Sequence, residues 1–179
     1  MPAIPEAIHR CRLLVDGYNL LFGQGWAQPN QRSHLALQRG RETLVTQLAA
    51  RTMPEQRSLI WIVFDSLDAP AHLPVSMRLR DMEVFFSREW ASADELLQQI
   101  LVSHSTPKSV VVISSDHSVQ RKAIARGATP FDHDQWIEAI EAAFGSCEPT
   151  DSQADSMEQG KDRVVGDKER DEWLKRFGF

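Results

Sequence analysis

The sequence predicts a three-layer α/β domain of Rossmann type over residues 1–145, with a mainly parallel central sheet of about five strands. Two observations carry this expectation. Short, wholly apolar runs, among them Leu13–Val15, Leu59–Phe64 and Val110–Ile113, recur along the chain. Between them lie stretches whose apolar residues repeat with a helical period. Wholly apolar strands belong to a sheet covered on both faces, and alternation with helices makes such a sheet parallel.

The elements follow in order. Cys11–Asp16 reads as a short buried strand. Arg32–Arg51 reads as a helix with Leu37, Leu44, Val45 and Leu48 on one side. Ser58–Asp65 is a strand rich in β-branched and aromatic residues. Asp68–Pro74, with Pro70 and Pro74, reads as loop. Met82–Ser87 is a third strand. Ser92–Ser103 is a helix opened by Ser92-Ala93-Asp94-Glu95, a capping-box pattern. Ser109–Ser114 is a fourth strand and His117–Arg126 a helix stopped by Gly127. Thr129–Phe131 is a short fifth strand, and Asp134–Phe144 a last helix. From Gly145 the composition changes. Residues 146–167 are polar and acidic and read as a disordered linker. Residues 168–179 read as a short amphipathic segment.

No apolar run approaches the ~20 residues of a membrane helix, and Asp16 interrupts the only apolar stretch near the N-terminus. Cys11 and Cys147 are too few for a disulfide framework and read as reduced thiols. These features point to a cytoplasmic protein without membrane contact. Net charge is −5, from 20 basic and 25 acidic residues, which argues against nucleic acid until its distribution is considered. Residues 1–145 hold 16 acids and 14 bases. If five of those acids share one site, the remaining surface is mildly basic.

The acids have a pattern. In an open parallel sheet, ligands bind beyond the carboxyl ends of the strands. Asp16 ends the first strand, Asp65 the second, and Asp116 follows the fourth. Asp94 and Glu95 open the helix after the third. Five carboxylates on one edge repel unless cations neutralise them or some take up protons. Hard divalent cations prefer carboxylate oxygens, and Mg²⁺ retains waters and binds substrate phosphate. Such a site suits hydrolysis of a phosphodiester. Each acid also has a structural reading. Asp116 and Asp132 can cap helices, Asp94 gains from the helix dipole, Asp65 can be a turn residue, and Glu95 falls at the third position of the capping box.

Other features carry less. The six histidines show no metal-ligand spacing and read as scattered surface residues. No phosphate-loop, dinucleotide or serine-elbow motif is present. Trp61, Trp136 and Phe64 fall in core-like patterns. Trp26 and Trp90 fall in loops near the acidic edge, where they pack partially or stack on bases.

With these residues in view, the sequence resembles the NYN domain family, in its YacP-like branch, one of the PIN-like nucleases. Leu13–Phe22 (LLVDGYNLLF) carries the most specific element, Asp-Gly-Tyr-Asn after a buried strand. Arg39–Ala50, Val63-Phe64-Asp65, Phe85–Leu97 around Ser92-Ala93-Asp94, and Ile113–Gly127 with Ser114-Ser115-Asp116 follow in the family's order. The resemblance spans about residues 11–144. It departs at Glu89-Trp90-Ala91, where the family often has Gly-Glu, and at the loop carrying Asp68, Pro70 and His72.

The resemblance implies a metal-dependent ribonuclease, endonucleolytic, acting in RNA processing or decay with Mg²⁺ or Mn²⁺. Asp16, Asp94 and Asp116 then hold the metal, with Asp65 and Glu95 as outer or second ligands. Asn19 orients the scissile phosphate or a water, so the catalytic set is Asp16, Asn19, Asp94 and Asp116. Arg39, Arg41, Arg121, Lys122 and Arg126 track the RNA backbone or, alternatively, form a solvated helix face. The C-terminal segment, with Trp173, Leu174 and Phe177, offers a docking element for a ribosome, another protein or its own domain. One alternative is a non-catalytic RNA-binding module of the same fold. Another is a phosphatase of the haloacid dehalogenase type, which wants a second Asp two residues after the first, where this chain has Tyr18.

Overall fold

The computed structural model describes residues 6–30, 33–66 and 74–145. Its centre is a sheet of six strands: β1 (Leu13–Asp16), β2 (Ile60–Phe64), β3 (Ser76–Leu79), β4 (Met82–Phe86), β5 (Val111–Ile113) and β6 (Thr129–Phe131). Their order is β3-β4-β2-β1-β5-β6. All neighbours are parallel except β3 and β4. The order runs outward from β1 in both directions, so the chain changes winding direction between β1 and β5. That switch point opens a crevice at the carboxyl ends of the strands.

The helices are α1 (Gly17–Gly23), α2 (His34–Ala50), α3 (Pro54–Arg57), α4 (Ala93–Ser103), α5 (His117–Ala125) and α6 (Trp136–Phe144). Alternate strand residues feed two cores. Leu13, Val15, Ile62, Phe64 and Ile113 pack with α1, α2 and α6. Leu14, Trp61, Val63, Phe85 and Val112 pack with α4 and α5. The central strands are buried on both faces, as their uniform apolarity requires.

Two elements differ from the sequence expectation. β3 is a sixth strand, antiparallel and at the edge. Its exposure alternates from residue to residue, so it lacks the apolar run that marks the others. It joins β4 through Arg80 and Asp81, whose φ of 46° and 67° are left-handed. That is the geometry of a two-residue hairpin turn, here without the glycine that usually signals it. α1 is the second difference, a separate helix where the sequence pattern shows none. It follows Asp16 directly and is flanked by glycines that lower helix propensity. A Cβ on Gly17 would lie 2.4 Å from the Phe64 ring, so only glycine lets α1 sit this close to β2. Smaller shifts occur at element ends: the expected last helix divides into a 3₁₀ turn (His133–Gln135) and α6.

Most of the expected Asp68–Pro74 loop, the linker at residues 146–167 and the segment at residues 168–179 lie outside the described residues. Among the described residues, no helix is long and apolar enough to cross a membrane.

Candidate active site at the carboxyl edge of the sheet

Asp16 ends β1 and is 7% exposed. Its Oδ1 accepts the Asn19 backbone N–H at 3.3 Å, capping α1, and its Oδ2 accepts the Ser114 hydroxyl at 2.9 Å. Burial raises its pKa from the ordinary 3.8 to about 7. The two hydrogen bonds oppose this rise, and the charges of Asp94 and Asp116 add to it. Burial is the larger cause, but the two neighbours identify which acids share the crevice.

Asp116 caps α5, and its Oδ1 accepts from the backbone of Ser118 at 2.6 Å and Val119 at 3.2 Å. Asp94, in the first turn of α4, is half-buried. Its pKa is raised by burial and by Asp116 and Asp65, against the opposing pull of Lys122. Among the described residues, no hydrogen-bond donor meets the Asp94 carboxylate. Asp65 accepts the Ala93 N–H at 3.2 Å and so fixes the start of α4 beside the other acids.

The expected acids therefore divide. Asp16, Asp94 and Asp116 face one another electrostatically, and Asp65 borders them. Glu95 is engaged elsewhere. Its carboxylate accepts the Ala91 N–H at 2.8 Å while its own N–H donates to Ser92 Oγ at 3.2 Å. This is the Ser92 half of a capping box, with the return bond from Glu95 going to Ala91 rather than to the N-cap N–H, and it gives Glu95 a structural role at the start of α4.

Asn19 sits in the first turn of α1, and its Oδ1 accepts the Ser115 N–H at 2.9 Å. That bond ties α1 to the turn after β5 and directs the amide nitrogen elsewhere. Ser114 Oγ donates to Asp16 and accepts the Asp116 N–H at 3.1 Å, bridging two of the acids.

A further layer is hidden from the sequence. Ser115 Oγ lies 2.5 Å from His133 Nδ1 and accepts the His133 backbone N–H at 3.0 Å. A Cβ on Gly23 would collide with the His133 ring, which therefore packs closely against the end of α1. Gln24 Nε2 donates to the His133 carbonyl at 2.8 Å, and Trp136 Nε1 donates to Gln24 Oε1 at 3.2 Å. Gln120 Nε2 donates to both the Ser114 carbonyl and Asp132 Oδ1. Asp132 thus binds Gln120 and makes no side-chain cap. The histidines are not all scattered surface residues. His133 belongs to this network, and His104 is 3% exposed, bonded to the Cys11 carbonyl and to the Thr106 N–H. The only sequence signal for this layer is the polar density of Ser114-Ser115-Asp116 and Asp132-His133.

The basic residues separate too. Arg39, Arg121, Lys122 and Arg126 are exposed, and Arg126 donates to the Val102 carbonyl at 3.0 Å. Arg41 is not a surface residue. It is 1% exposed and donates to the Tyr18 hydroxyl at 2.7 Å. Its place on the apolar side of α2 makes it a core cation that RNA does not reach. Tyr18 packs against Phe22 and Phe64, so the position where a phosphatase of the dehalogenase type carries its second Asp is an aromatic core position. Trp26 packs edge-to-face on Trp136, and Trp90 packs on the α4/α5 core. Both tryptophans are held by packing.

The chemistry of these side chains, though not their spacing, is that preferred by a hard divalent cation. The set consists of oxygen ligands, with two carboxylates whose pKa values are raised in part by neighbouring acids and one that meets no donor. Among the described residues, no three His, Cys, Asp or Glu side chains are gathered closely enough to hold a metal ion as they stand. The fit rests on charge and donor chemistry.

A doubly wound sheet with carboxylates converging at its switch point defines the class, a Rossmann-type α/β domain with an acidic ligand site. The YacP-like NYN domain matches residues 13–177, and the chain belongs to that family, one of the PIN-like nucleases. Two solved structures are similar to it. One is Rae1 (YacP) from Bacillus subtilis in a tryptophan-to-leucine mutant form, 25% identical, covering 72% of this chain and 76% of that one, with a TM-score of 0.49. The other is Rae1 (YacP) from the same organism, 24% identical, covering 73% and 74%, also at 0.49. No curated protein matches the chain. The motifs named from the sequence end near residue 144, and the family model extends to residue 177.

Proposed function

We propose that the protein is a cytoplasmic ribonuclease that cuts RNA internally, in processing or decay, with Mg²⁺ or Mn²⁺ bound by Asp16, Asp94 and Asp116. The observation that carries this reading is the convergence of Asp16, Asp94 and Asp116 at the carboxyl edge of the sheet, where burial first, and the neighbouring acids second, raise the pKa of Asp16 and Asp94. A cation there offsets a repulsion that the fold otherwise sustains. When bound, it supplies positive charge to the scissile phosphate and lowers the pKa of a water.

The chain's own residues do the rest. Ser114 and the Asn19 N–H hold the Asp16 carboxylate in one orientation. Asn19, with its oxygen committed to Ser115, presents its amide nitrogen as a donor to a phosphate oxygen. Lys122 lies close enough to Asp94 to act on its charge. It forms, with exposed Arg121, the start of a basic track along α5 for the RNA backbone. Arg39 and Arg126 extend that basic surface. Asp65 acts through Ala93 and Glu95 through Ala91, both by positioning α4.

Asp94→Asn is the decisive variant, because no helix cap depends on that carboxylate. Purified protein is incubated with single-stranded and structured RNA in Mg²⁺, Mn²⁺ or a chelator. Cleavage by the parent only with metal, and a loss of roughly 10²–10³ in rate in a folded Asp94→Asn protein, is the expected result. Equal rates in parent and variant would overturn the assignment.

A further inference from the structure

At the end of the domain opposite the acids lies an open groove of about 370 Å³. The last turn of α2, the turn into α3 and one side of α6 enclose it. Met53, Ile137, Ile140 and Phe144 make it apolar, with Arg51 and Glu141 at its sides. Met53 and Ile137 are each 44% exposed. Gly145, the last described residue, forms its lip.

The chain beyond Gly145 is mostly polar, with Met157 and Val164-Val165 as its larger apolar residues, until Trp173, Leu174 and Phe177. These fall at i, i+1 and i+4, on one side of a helix. A helix this short is marginal alone in water and needs a surface to form on. The family match extends to residue 177 and so takes in Trp173, Leu174 and Phe177. We propose that residues 171–179 dock into the groove of their own chain, with Trp173, Leu174 and Phe177 covering Met53, Ile137, Ile140 and Phe144.

Three arguments favour this occupant over a second copy or a foreign partner. The connecting residues begin at the lip of the groove itself. A polar connection of that length spans roughly 30 Å as a coil, more than enough to return the segment to its starting point. The tether also holds the segment at an effective concentration on the order of millimolar, above that of any second copy in dilute solution. The groove has room for an indole ring and an adjoining aliphatic side chain. It faces away from Asp16, so docking leaves the crevice open and does not depend on the nuclease reading.

The test is NMR on the full chain, comparing the parent with the double variant Trp173→Ala/Phe177→Ala. Methyl signals of Met53, Ile137 and Ile140 are expected to shift in the variant, and their cross-peaks to aromatic protons of the segment to be lost. The shifts are expected to be the same at low and high protein concentration. Ile137→Asp in an otherwise intact chain is expected to speed proteolysis of the tail while leaving RNA cleavage unchanged. Unmoved groove signals, or changes confined to another surface, would overturn the proposal. Changes that grow with protein concentration would assign the groove to a second copy and overturn it equally.

Discussion

Asp16→Asn separates the cost of the acidic site from its use. In the metal-free protein the Asp16 pKa stands at about 7 against 3.8 when exposed. A pKa difference of one corresponds to about 1.36 kcal/mol. The full displacement therefore penalises the folded state by a ceiling of about 4 kcal/mol once the carboxyl is ionised. The sign follows from proton counts. Between pH 3.8 and 7 the native state holds a proton that the unfolded state has released, so stability falls as pH rises through that window. Below it both states are protonated, and above it both are ionised. Asparagine has the shape of the protonated acid and never ionises.

The assay is thermal unfolding of parent and variant from acid to alkaline pH, in chelator. The two proteins should melt together near pH 4. The variant should gain steadily and level off above pH 7, by up to roughly 10 °C. His104, whose burial lowers its pKa, favours unfolding in acid, but it is common to both proteins and cancels in the difference. Added Mn²⁺ should stabilise the parent and not the variant. A difference that stays flat with pH would refute the reasoning, because the penalty would then not come from ionising Asp16.

Three further outcomes rest on individual contacts. Glu95→Gln should leave metal-dependent cleavage intact, since an amide oxygen still accepts the Ala91 N–H; loss of cleavage in a folded variant would return Glu95 to the ligand set. Gly23→Ala should destabilise the protein through the His133 ring, and in a His133→Ala background it should be nearly neutral; denaturant unfolding of the four proteins should give a coupling of about 1 kcal/mol or more. Gly17→Ala should cost about 1–3 kcal/mol by forcing α1 off the Phe64 ring, and an unchanged melting temperature would show that the ring yields freely.

What can be read from the sequence follows the strength of its periodic signal. β1, β2, β4 and β5 are apolar at nearly every position, and such runs fit little else but strands inside a covered sheet. β3 shows only Met77 and Leu79 inward, between exposed Ser76 and Arg78, and its turn lacks glycine. Nothing local distinguishes it from loop. Arg41 misleads for a related reason. Charge suggests surface, and its burial rests on tertiary contacts that include the hydroxyl of Tyr18, 23 residues away. The Ser115–His133 contact is likewise a product of tertiary approach. The acids are legible because backbone topology alone sends strand ends to one edge.

In the sequence, capping and ligation compete as roles for these acids; in the structure they are compatible. Asp16 caps α1, Asp116 caps α5, and Asp65 takes the first N–H of α4. A carboxylate that accepts helix N–H groups is held in place and partly compensated by the positive end of the helix. Each such acid needs only some of its lone pairs for the cap. The parallel sheet thus aims three helix N-termini at one crevice and brings each acid with its helix. This accounts for how several carboxylates persist in a small buried space without cations, and for why α1 matters although it is short. Asp94 is the exception, because it carries no cap and meets no donor among the described residues. The dipole of α4 favours an acid at its position, but no hydrogen bond accounts for its place in the crevice, which is why the functional reading depends on it more than on the acids that also hold a helix.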